Sequence, residues 1–435
     1  MAIAFDPDDF DRMAAQTARR IAEGATVLYE AAFKERGIFA MADILVKEAD
    51  GWAFYEVKSS TSIKSYHLDD AAIQWYAISE VLPLKRACIV HIDNGYERRG
   101  ELEIEKLFRV VDVTEEVMVC QAAIPGRLVA LGMMLRGDEP DIDIGPHCFD
   151  PFVCDFYDYC WQKIPSPSVF NLYRLSGSKK FELYRQGIVR YEDVPDDYPL
   201  NPTQRLQIQT SLLGTPHVDK EVIERFLNKL HFPIHFFDFE TFSEPVPRFD
   251  GLRPYRQVPF QYSLHILHEE GSLEHREFLA DEREDPRKPL AERMLGDIGP
   301  EGSIVAFNLS FEIGRIRELA EALPEYREPL LVLTERFVDL IEPFRKLGYY
   351  HPDFHGSFSI KSVLPALFPD DPELSYQSLG RVHNGEEAME MFANLPRLKD
   401  PNMREAIRQD LLDYCRLDTL AMVKIYEKLK EAAGL

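Results

Sequence analysis

The stretch PIHFFDFET, residues 233–241, ends an apolar, aromatic run on two carboxylates, Asp238 and Glu240, spaced two apart. Such a run reads as a buried strand, in which alternate side chains leave the same face, so both carboxylates can share one cation. Far along the chain, DLLDYCRLDT (410–419) carries Tyr414 and Asp418 four apart in a helical pattern, which again puts both side chains on one face. Between them GSIVAFNLSFEIGRIREL (302–319) is a short apolar run followed by a helix. The arrangement of Asn308, Phe311 and Glu312 sets a third carboxylate on that helix's first turn. Carboxylates and a tyrosine drawn from a strand and later helices suit two-metal phosphodiester cleavage, where cations about 3.5–4 Å apart steady the attacking and leaving oxygens.

Asp-x-Glu on a strand is commonly just a solvated strand end, and Tyr-x-x-x-Asp on a helix is a weaker signal still. Three signals in a fixed order are another matter. Together they resemble the DEDD exonucleases of the ribonuclease H-like fold, tyrosine subtype, which carry Asp-x-Glu, then usually Asn-x-x-Phe-Asp, then Tyr-x-x-x-Asp. This chain departs once, with Glu312 where aspartate is usual. The resemblance implies that Asp238, Glu240 and Asp418 bind catalytic Mg²⁺ or Mn²⁺, that Glu312 supports the second ion or its water, and that Tyr414 orients the attacking water. Oxygen ligands favour such hard cations over zinc. Members of that family degrade nucleic acid from the 3′ end.

A second pattern lies near the N-terminus. IFAMADILVKEADGWAFYEVKSS (38–60) reads as two strands joined at Asp50-Gly51, with Glu56 and Lys58 on one side of the second strand. Pairing centred between 49 and 50 sets Asp43 opposite Glu56; shifted by one residue on each side, Asp43 faces Lys58. Either register gathers an Asp, a Glu and a Lys, which is two metal ligands and a cation able to position water or stabilise negative charge. The alternative is a solvated hairpin with a chance Glu-x-Lys pair. The trio resembles the Asp…Glu-x-Lys core of restriction-endonuclease-like nucleases of the RecB type. Gln74, in HLDDAAIQWYAISEVL (67–82), matches the glutamine that follows in those families. Their usual tyrosine four residues later is replaced by Ile78, and Tyr76 is the nearest substitute.

Of six cysteines, Cys148, Cys154 and Cys160 fall at six-residue intervals among aromatics, while Cys88, Cys120 and Cys415 read as core or near-core thiols. Closely spaced thiolates suit an iron–sulfur cluster or zinc. Many RecB-type nucleases hold a cluster through three cysteines after the core and one far upstream, but here no cysteine precedes Cys88. A 4Fe–4S cluster on three thiolates, a Zn²⁺ site completed by His147, and structural free thiols are the alternatives.

Longer segments, among them YEVKSSTSIKSYHLDDAAIQWY, IGPHCFDPFVCDFYDYCW, FFDFETFSEPVPRFDGLRPYRQVPFQYSLHIL and HGSFSIKSVLPALFP, resemble the bacterial domain-of-unknown-function family number 2779 over nearly the whole chain. Its members commonly begin with an extra stretch containing a Cys-Pro pair, and this chain starts at MAIAFDPDDF, after that point. The expectation is therefore a weakened N-terminal centre beside a more complete C-terminal one.

A length of 435 residues suggests two or three domains. The expected architecture is α/β throughout: a restriction-endonuclease-like core closed by the cysteine loop (1–165), a helical linker (166–230), and a ribonuclease H-like exonuclease domain (231–435). Within the linker, the helix preceding Gly187 is a candidate helix-hairpin-helix phosphate grip. Hydrophobic residues make up 45% and charged residues 29%, an ordinary globular composition. No run of about 18 apolar residues stands out, so no membrane span is expected. The acidic N-terminus lacks a secretory layout, which points to the cytoplasm. A net charge of −24 argues against a broad phosphate-binding surface. It leaves room for local basic groups: SGSKKFELYRQGIVR (176–190), and Arg253 and Arg256 among Phe249, Tyr255 and Phe260, as in a single-strand channel. Lys361 joins them, with Ser357 and Ser359 beside it. The expected partner is DNA or RNA, single-stranded. The competing readings are a non-catalytic nucleic-acid-binding scaffold and a structural partner in a repair or defence complex.

Overall fold

Hydrophobic alternation in residues 27–58 builds one edge of a five-stranded sheet. Its strands are β1 (Val27–Glu35), β2 (Ile38–Lys47), β3 (Trp52–Lys58), β4 (Leu84–Ile92) and β5 (Phe108–Asp112), ordered β1-β2-β3-β4-β5. All neighbours are antiparallel except β3 and β4, which run parallel because helix Ser65–Ile78 carries the chain back between them. The β2–β3 register pairs Ile44 with Tyr55 and Leu45 with Phe54, the first of the two registers expected. Leu45, Phe54, Ala71, Trp75 and Ile89 form the core between this sheet and that helix.

A computed structural model describes all of residues 1–435, in two compact units: Met1–Asp143 with Glu244–Arg256, and Ile144–Ser243 with Gln257–Leu435. The division differs from the one expected. The first boundary falls at 143/144 rather than 165. Residues 166–230 cluster with the C-terminal region around a small core of Val169, Leu172, Leu175, Leu183 and Tyr191. Residues 244–256 belong to the first unit, held there by Arg98, whose guanidinium donates to the carbonyls of Pro247 and Arg248 at 3.0 and 2.8 Å. A thirteen-residue excursion of this kind leaves no mark in local hydrophobic pattern.

In the second unit, β6 (His217–Val218) and a later β12 (Tyr349–Tyr350) make a small antiparallel pair. The principal sheet comprises β7 (Ile234–Phe242), β8 (Val258–Leu267), β9 (Leu273–Leu279), β10 (Ser303–Ala306) and β11 (Phe337–Asp339), ordered β11-β10-β7-β8-β9. β7, β8 and β9 form an antiparallel meander; β10 and β11 run parallel to β7 on its other side. The period of two in β7 sorts its side chains. Phe237 and Phe239 pack with Tyr262, Leu290, Met294 and Ile316, under helices Arg287–Ile298 and Ser310–Ala322. Phe236 faces the other way, toward Met422, Ile425 and Tyr426 of the long helix Pro401–Ala433. Asp238 and Glu240 share parity with Phe236 and so look toward that helix. Gly302 lets β10 close on β7: at its φ of +83° a Cβ would lie 1.9 Å from the Pro233 carbonyl oxygen.

Where no membrane-crossing run was expected, one helical stretch, Thr114–Met134, is long and apolar enough to cross a membrane by length and composition. It is interrupted by a 3-10 turn at Gln121–Ala123 and by Pro125, and it leaves Val119, Val129 and Met133 exposed.

Candidate metal centres

The central strand β7 delivers Asp238 and Glu240 to one end of a cleft of about 620 Å³, and the Pro401–Ala433 helix delivers Tyr414 and Asp418 to the same cleft. Glu312, on the first turn of helix Ser310–Ala322, and Lys361, from helix Ile360–Leu367, also line it, as do Asn308, Gln257 and Glu386. The four carboxylates of the C-terminal motifs thus converge with Tyr414, brought from three elements that are remote in the chain. Glu240, Glu312, Asp418 and Tyr414 are buried; Asp238 is half-buried.

Crowding acids away from water raises their proton affinity. Burial pushes Asp238 and Glu240 well above the ordinary carboxylate range, and the charges of Asp418 and Glu312 push both the same way, with Asp238 also opposed by Glu240. Lys361 acts oppositely on Glu240. Burial carries Asp418 up to about 6, against hydrogen bonds from Tyr376 and Tyr414 and the Lys361 charge, which pull it down. Glu312 rises to about 7, chiefly through burial and then through the nearby Asp339 charge. Its Oε2 is buried with no hydrogen-bond partner. The Tyr414 and Tyr376 phenols are pushed up by burial and by the acids around them, so both remain neutral donors.

Three residues of this site escaped sequence reasoning. Tyr376, in the 3-10 turn Tyr376–Ser378, donates its hydroxyl hydrogen directly to Asp418 Oδ1. Asp339 ends β11 and accepts from the Asn308 amide at 2.9 Å, fixing Asn308 at a left-handed φ of +73°. Cys415, expected as a core thiol, is fully buried with its Sγ 3.9 Å from Asp238 Oδ2. Ligand atoms of Asp238, Glu240 and Cys415 lie within 4.8 Å of one another. Burial and the surrounding carboxylates hold the Cys415 thiol protonated, so the oxygens are the competent donors. Buried, mutually repelling carboxylates with an orphaned oxygen fit a hard divalent cation such as Mg²⁺ or Mn²⁺.

The first unit gathers the second constellation. The Asp43 carboxylate accepts the Val57 amide at 2.6 Å, which locks it beside the end of β3. Lys58 Nζ donates to Glu56 Oε1 at 2.7 Å and to Asp70 Oδ2 at 2.5 Å. Burial raises Glu56, and hydrogen bonds from Lys58 and Gln74 oppose the rise. Asp70 was not singled out from the sequence, yet its spacing of four from Gln74 on helix Ser65–Ile78 was a legible signal. Ile78 is core, and Tyr76 lies under the Arg36 guanidinium, 4.4 Å from ring centroid to Cζ, so its ring is engaged outside the Glu56–Lys58 group.

Two expected groupings are not gathered as the sequence suggested. Cys148, Cys154 and Cys160 are not brought together with His147 as a ligand set: the cluster of Cys, His, Asp and Glu ligand atoms in the chain is the Asp238 group. Cys148 is instead buried among Ile144 and Phe181, with Cys160 packed against the same apolar cluster, because aromatic neighbours draw the loop into a core. Those residues do not fit a 4Fe–4S cluster or Zn²⁺. The residues of the expected single-strand channel are divided between the two units. Arg253 and Arg256 lie in the first unit, where Arg253 pairs with Glu97 at 3.2 Å, while Phe260 is core, stacked on Phe392 at 3.8 Å between centroids. Of the three nucleic-acid-binding candidates Lys361 alone lines the cleft.

Fold and site define a mixed α/β protein with an acidic, tyrosine-bearing cleft at the end of its central strand. A family profile described as a domain of unknown function (DUF2779) matches residues 235–359, the span from β7 through Glu312 to the segment before Lys361. The chain is 26% identical over 219 residues to uncharacterized protein UU173 of Ureaplasma parvum, covering 45% of this chain and 31% of that one. It is likewise 26% identical over 216 residues to uncharacterized protein MG366 of Mycoplasma genitalium, covering 46% and 32%. The matched region spans under a third of the length of either relative. No solved structure matches the chain.

Proposed function

We propose that the second unit is a metal-dependent exonuclease that shortens single-stranded DNA or RNA from its 3′ end. The observation that carries this reading is the convergence of Asp238, Glu240, Glu312 and Asp418 with Tyr414 in one cleft. The sheet order supports it: an antiparallel three-strand meander flanked by two parallel strands, with the acidic pair on the central strand, is the arrangement expected of a ribonuclease H-like fold.

Asp238, Glu240 and Asp418 would hold the cations, with Glu312 assisting. Bound there, a divalent cation supplies charge neutralisation and activation of water for attack on phosphorus. The chain's own groups do the rest. Tyr414, a neutral phenol hydrogen-bonded to Asp418, orients a water through its oxygen. Tyr376 fixes the Asp418 carboxylate from a second side. Lys361, the ammonium facing Glu240 and Asp418, is placed to attract a backbone phosphate into an otherwise acidic cleft.

The test uses 5′-labelled single-stranded DNA and RNA with Mg²⁺ or Mn²⁺, comparing the wild type with Asp238→Ala. The expected result is a ladder of 3′-shortened products that disappears in the variant. Degradation unchanged by Asp238→Ala would remove the cleft from the chemistry.

A further inference from the structure

An acidic cleft is a poor host for a polyanion. Each phosphate of a single strand is an anion, the chain carries a net charge of −24, and Lys361 is the cation that lines the cleft. Phosphates beyond the scissile one therefore need positive charge placed elsewhere on the second unit.

Such charge is gathered at a surface pocket of about 370 Å³ lined by Val222, Arg225, Lys229, Glu342 and Lys346. Two helix ends build it. Arg225 and Lys229 stand four apart at the end of helix Lys220–Leu227 and so share a face. Glu342 and Lys346 bracket the short helix Glu342–Arg345. The chain after that helix closes on the first one at Gly348, where a Cβ would lie 2.9 Å from Val222 Cγ1 and whose carbonyl accepts the Asp219 amide at 2.8 Å.

Inside the pocket Lys229 and Lys346 both donate to Glu342 Oε1, at 2.5 and 2.6 Å. Against the effect of burial, these two bonds hold the Glu342 carboxyl below its ordinary range, so one anion is shared by two ammoniums. Arg225 lines the pocket without an ion-pair partner. Three cations thus face one carboxylate, in a chain with 74 acids to 50 bases.

Arg345 carries the positive charge on to the cleft. It directly precedes Lys346, and its guanidinium reaches Asn308 Oδ1 at 3.5 Å, while Asn308 itself lines the cleft. Asp339 Oδ2 stands 4.0 Å away, at the limit of an ion pair, and the Arg345 side chain is 40% exposed, which leaves donors open to a ligand. Helix C-termini ordinarily attract single cations that offset their dipole. Here two helix ends bring theirs to one pocket, and the next cation stands at the rim of the cleft.

We propose that Arg345, Lys346, Lys229 and Arg225 form a track for the backbone phosphates of a single strand whose 3′ end lies in the cleft. The track rests on the exonuclease reading given above. Guanidinium and ammonium groups recognise phosphate whatever the base, so it takes DNA and RNA alike and sets no sequence preference. It does the work expected of Arg253 and Arg256, which cluster with the first unit.

The test titrates a fluorescent single-stranded oligodeoxythymidylate into the full chain in chelator, across a salt series, with a parent silenced by Asp238→Ala. Arg225→Gln combined with Lys346→Gln should weaken binding and reduce the slope of log affinity against log salt by about 1.4, two phosphate contacts at about 0.7 each. Lys288→Gln combined with Arg327→Gln makes the same charge change on helices that pack against the other face of the sheet, and should leave the slope at the parent's value. All four side chains are exposed, so the fold should hold, and equal thermal midpoints check it. A parent that binds no oligonucleotide, a slope unmoved by the Arg225 and Lys346 changes, or an equal loss in the Lys288 and Arg327 variant would overturn the proposal. Strand shortening by the wild type is read separately. A chain that shortens no strand yet loses slope in the Arg225 and Lys346 variant keeps the track and loses the exonuclease, whereas a chain that shortens strands with an unmoved slope loses the track alone.

Discussion

Replacing Glu312 by glutamine should make the metal-free second unit more stable, and more so at alkaline than at acid pH. The Glu312 carboxyl is moved from the ordinary 4.5 to about 7. At roughly 1.4 kcal/mol per factor of ten in proton affinity, holding the charged form costs the folded chain about 3 kcal/mol. Below pH 4.5 both folded and unfolded chains keep the proton and no cost arises. Between 4.5 and about 7 the unfolded chain releases a proton that the folded chain retains, so stability falls as pH rises; above 7 the whole cost is present. The part due to this group is about 1 kcal/mol at pH 5 and about 3 kcal/mol at pH 8. Glutamine, nearly the same shape, removes the titration but leaves an amide to satisfy, a penalty of about 1 kcal/mol at either pH. The variant should therefore match the wild type at pH 5 and exceed it by about 2 kcal/mol at pH 8. Pulse proteolysis across a urea series in chelator, scored on the fragment carrying the second unit, measures both differences. An advantage that is the same at both pH values, or a variant less stable at pH 8 than at pH 5 relative to the wild type, would refute the reasoning.

Other expectations concern the neighbours of that carboxylate. Tyr414→Phe should lower the rate of 3′ shortening by about 10²-fold, the ordinary scale for losing a positioned proton-handling group, with Mn²⁺ affinity unchanged; a parallel loss of Mn²⁺ would assign the phenol to the ligand sphere instead. Tyr376→Phe removes one of the hydrogen bonds that hold Asp418 down at about 6, so the rising limb of the pH–rate profile should move to higher pH, and a limb that stays in place would show that Asp418 does not govern it. Lys361→Met should raise KM for a single-stranded oligonucleotide and reduce the slope of log affinity against log salt by about 0.7, one phosphate contact's worth; an unaltered slope would mean that Lys361 serves the carboxylates alone.

How much of this was legible in the sequence follows from the range of each interaction. Asp238 and Glu240, two apart on β7, and Tyr414 and Asp418, four apart on a helix, are local relations fixed by period, and both pairs share a face as expected. The hairpin register around Asp50-Gly51 is also local, and it set Asp43 beside Val57 and Glu56 as one of the two expected registers requires. Tyr376 has no such signature. It lies in a short 3-10 turn 42 residues before Asp418, and only the packing of the second unit brings its hydroxyl to that carboxylate. Arg253 and Arg256 show the same limit: they follow Asp238 closely in sequence, yet residues 244–256 cluster with the first unit, which no local pattern signals. The cysteine loop shows the converse error, since regular spacing of thiols in a chain of aromatics can also come from a helical and turn-rich segment that buries one face.

What local pattern leaves unexplained is why the cleft is acidic at all. Buried carboxylates raised in proton affinity by one another are a cost to folding, and apolar residues of similar volume in their place would commonly be neutral or stabilising. The Asp238 and Glu240 carboxyls are each opposed by Asp418 and by Glu312, with Lys361 as the compensating ammonium facing Glu240 and Asp418. Hydrogen bonds soften the strain at Asp418 but leave Glu312 Oε2 with no donor. A cation drawn to these oxygens would neutralise the repulsion and satisfy the orphaned atom in one event, converting a folding cost into binding affinity. A cleft where stability is given up around oxygen donors argues for ion binding more strongly than any short motif in the sequence.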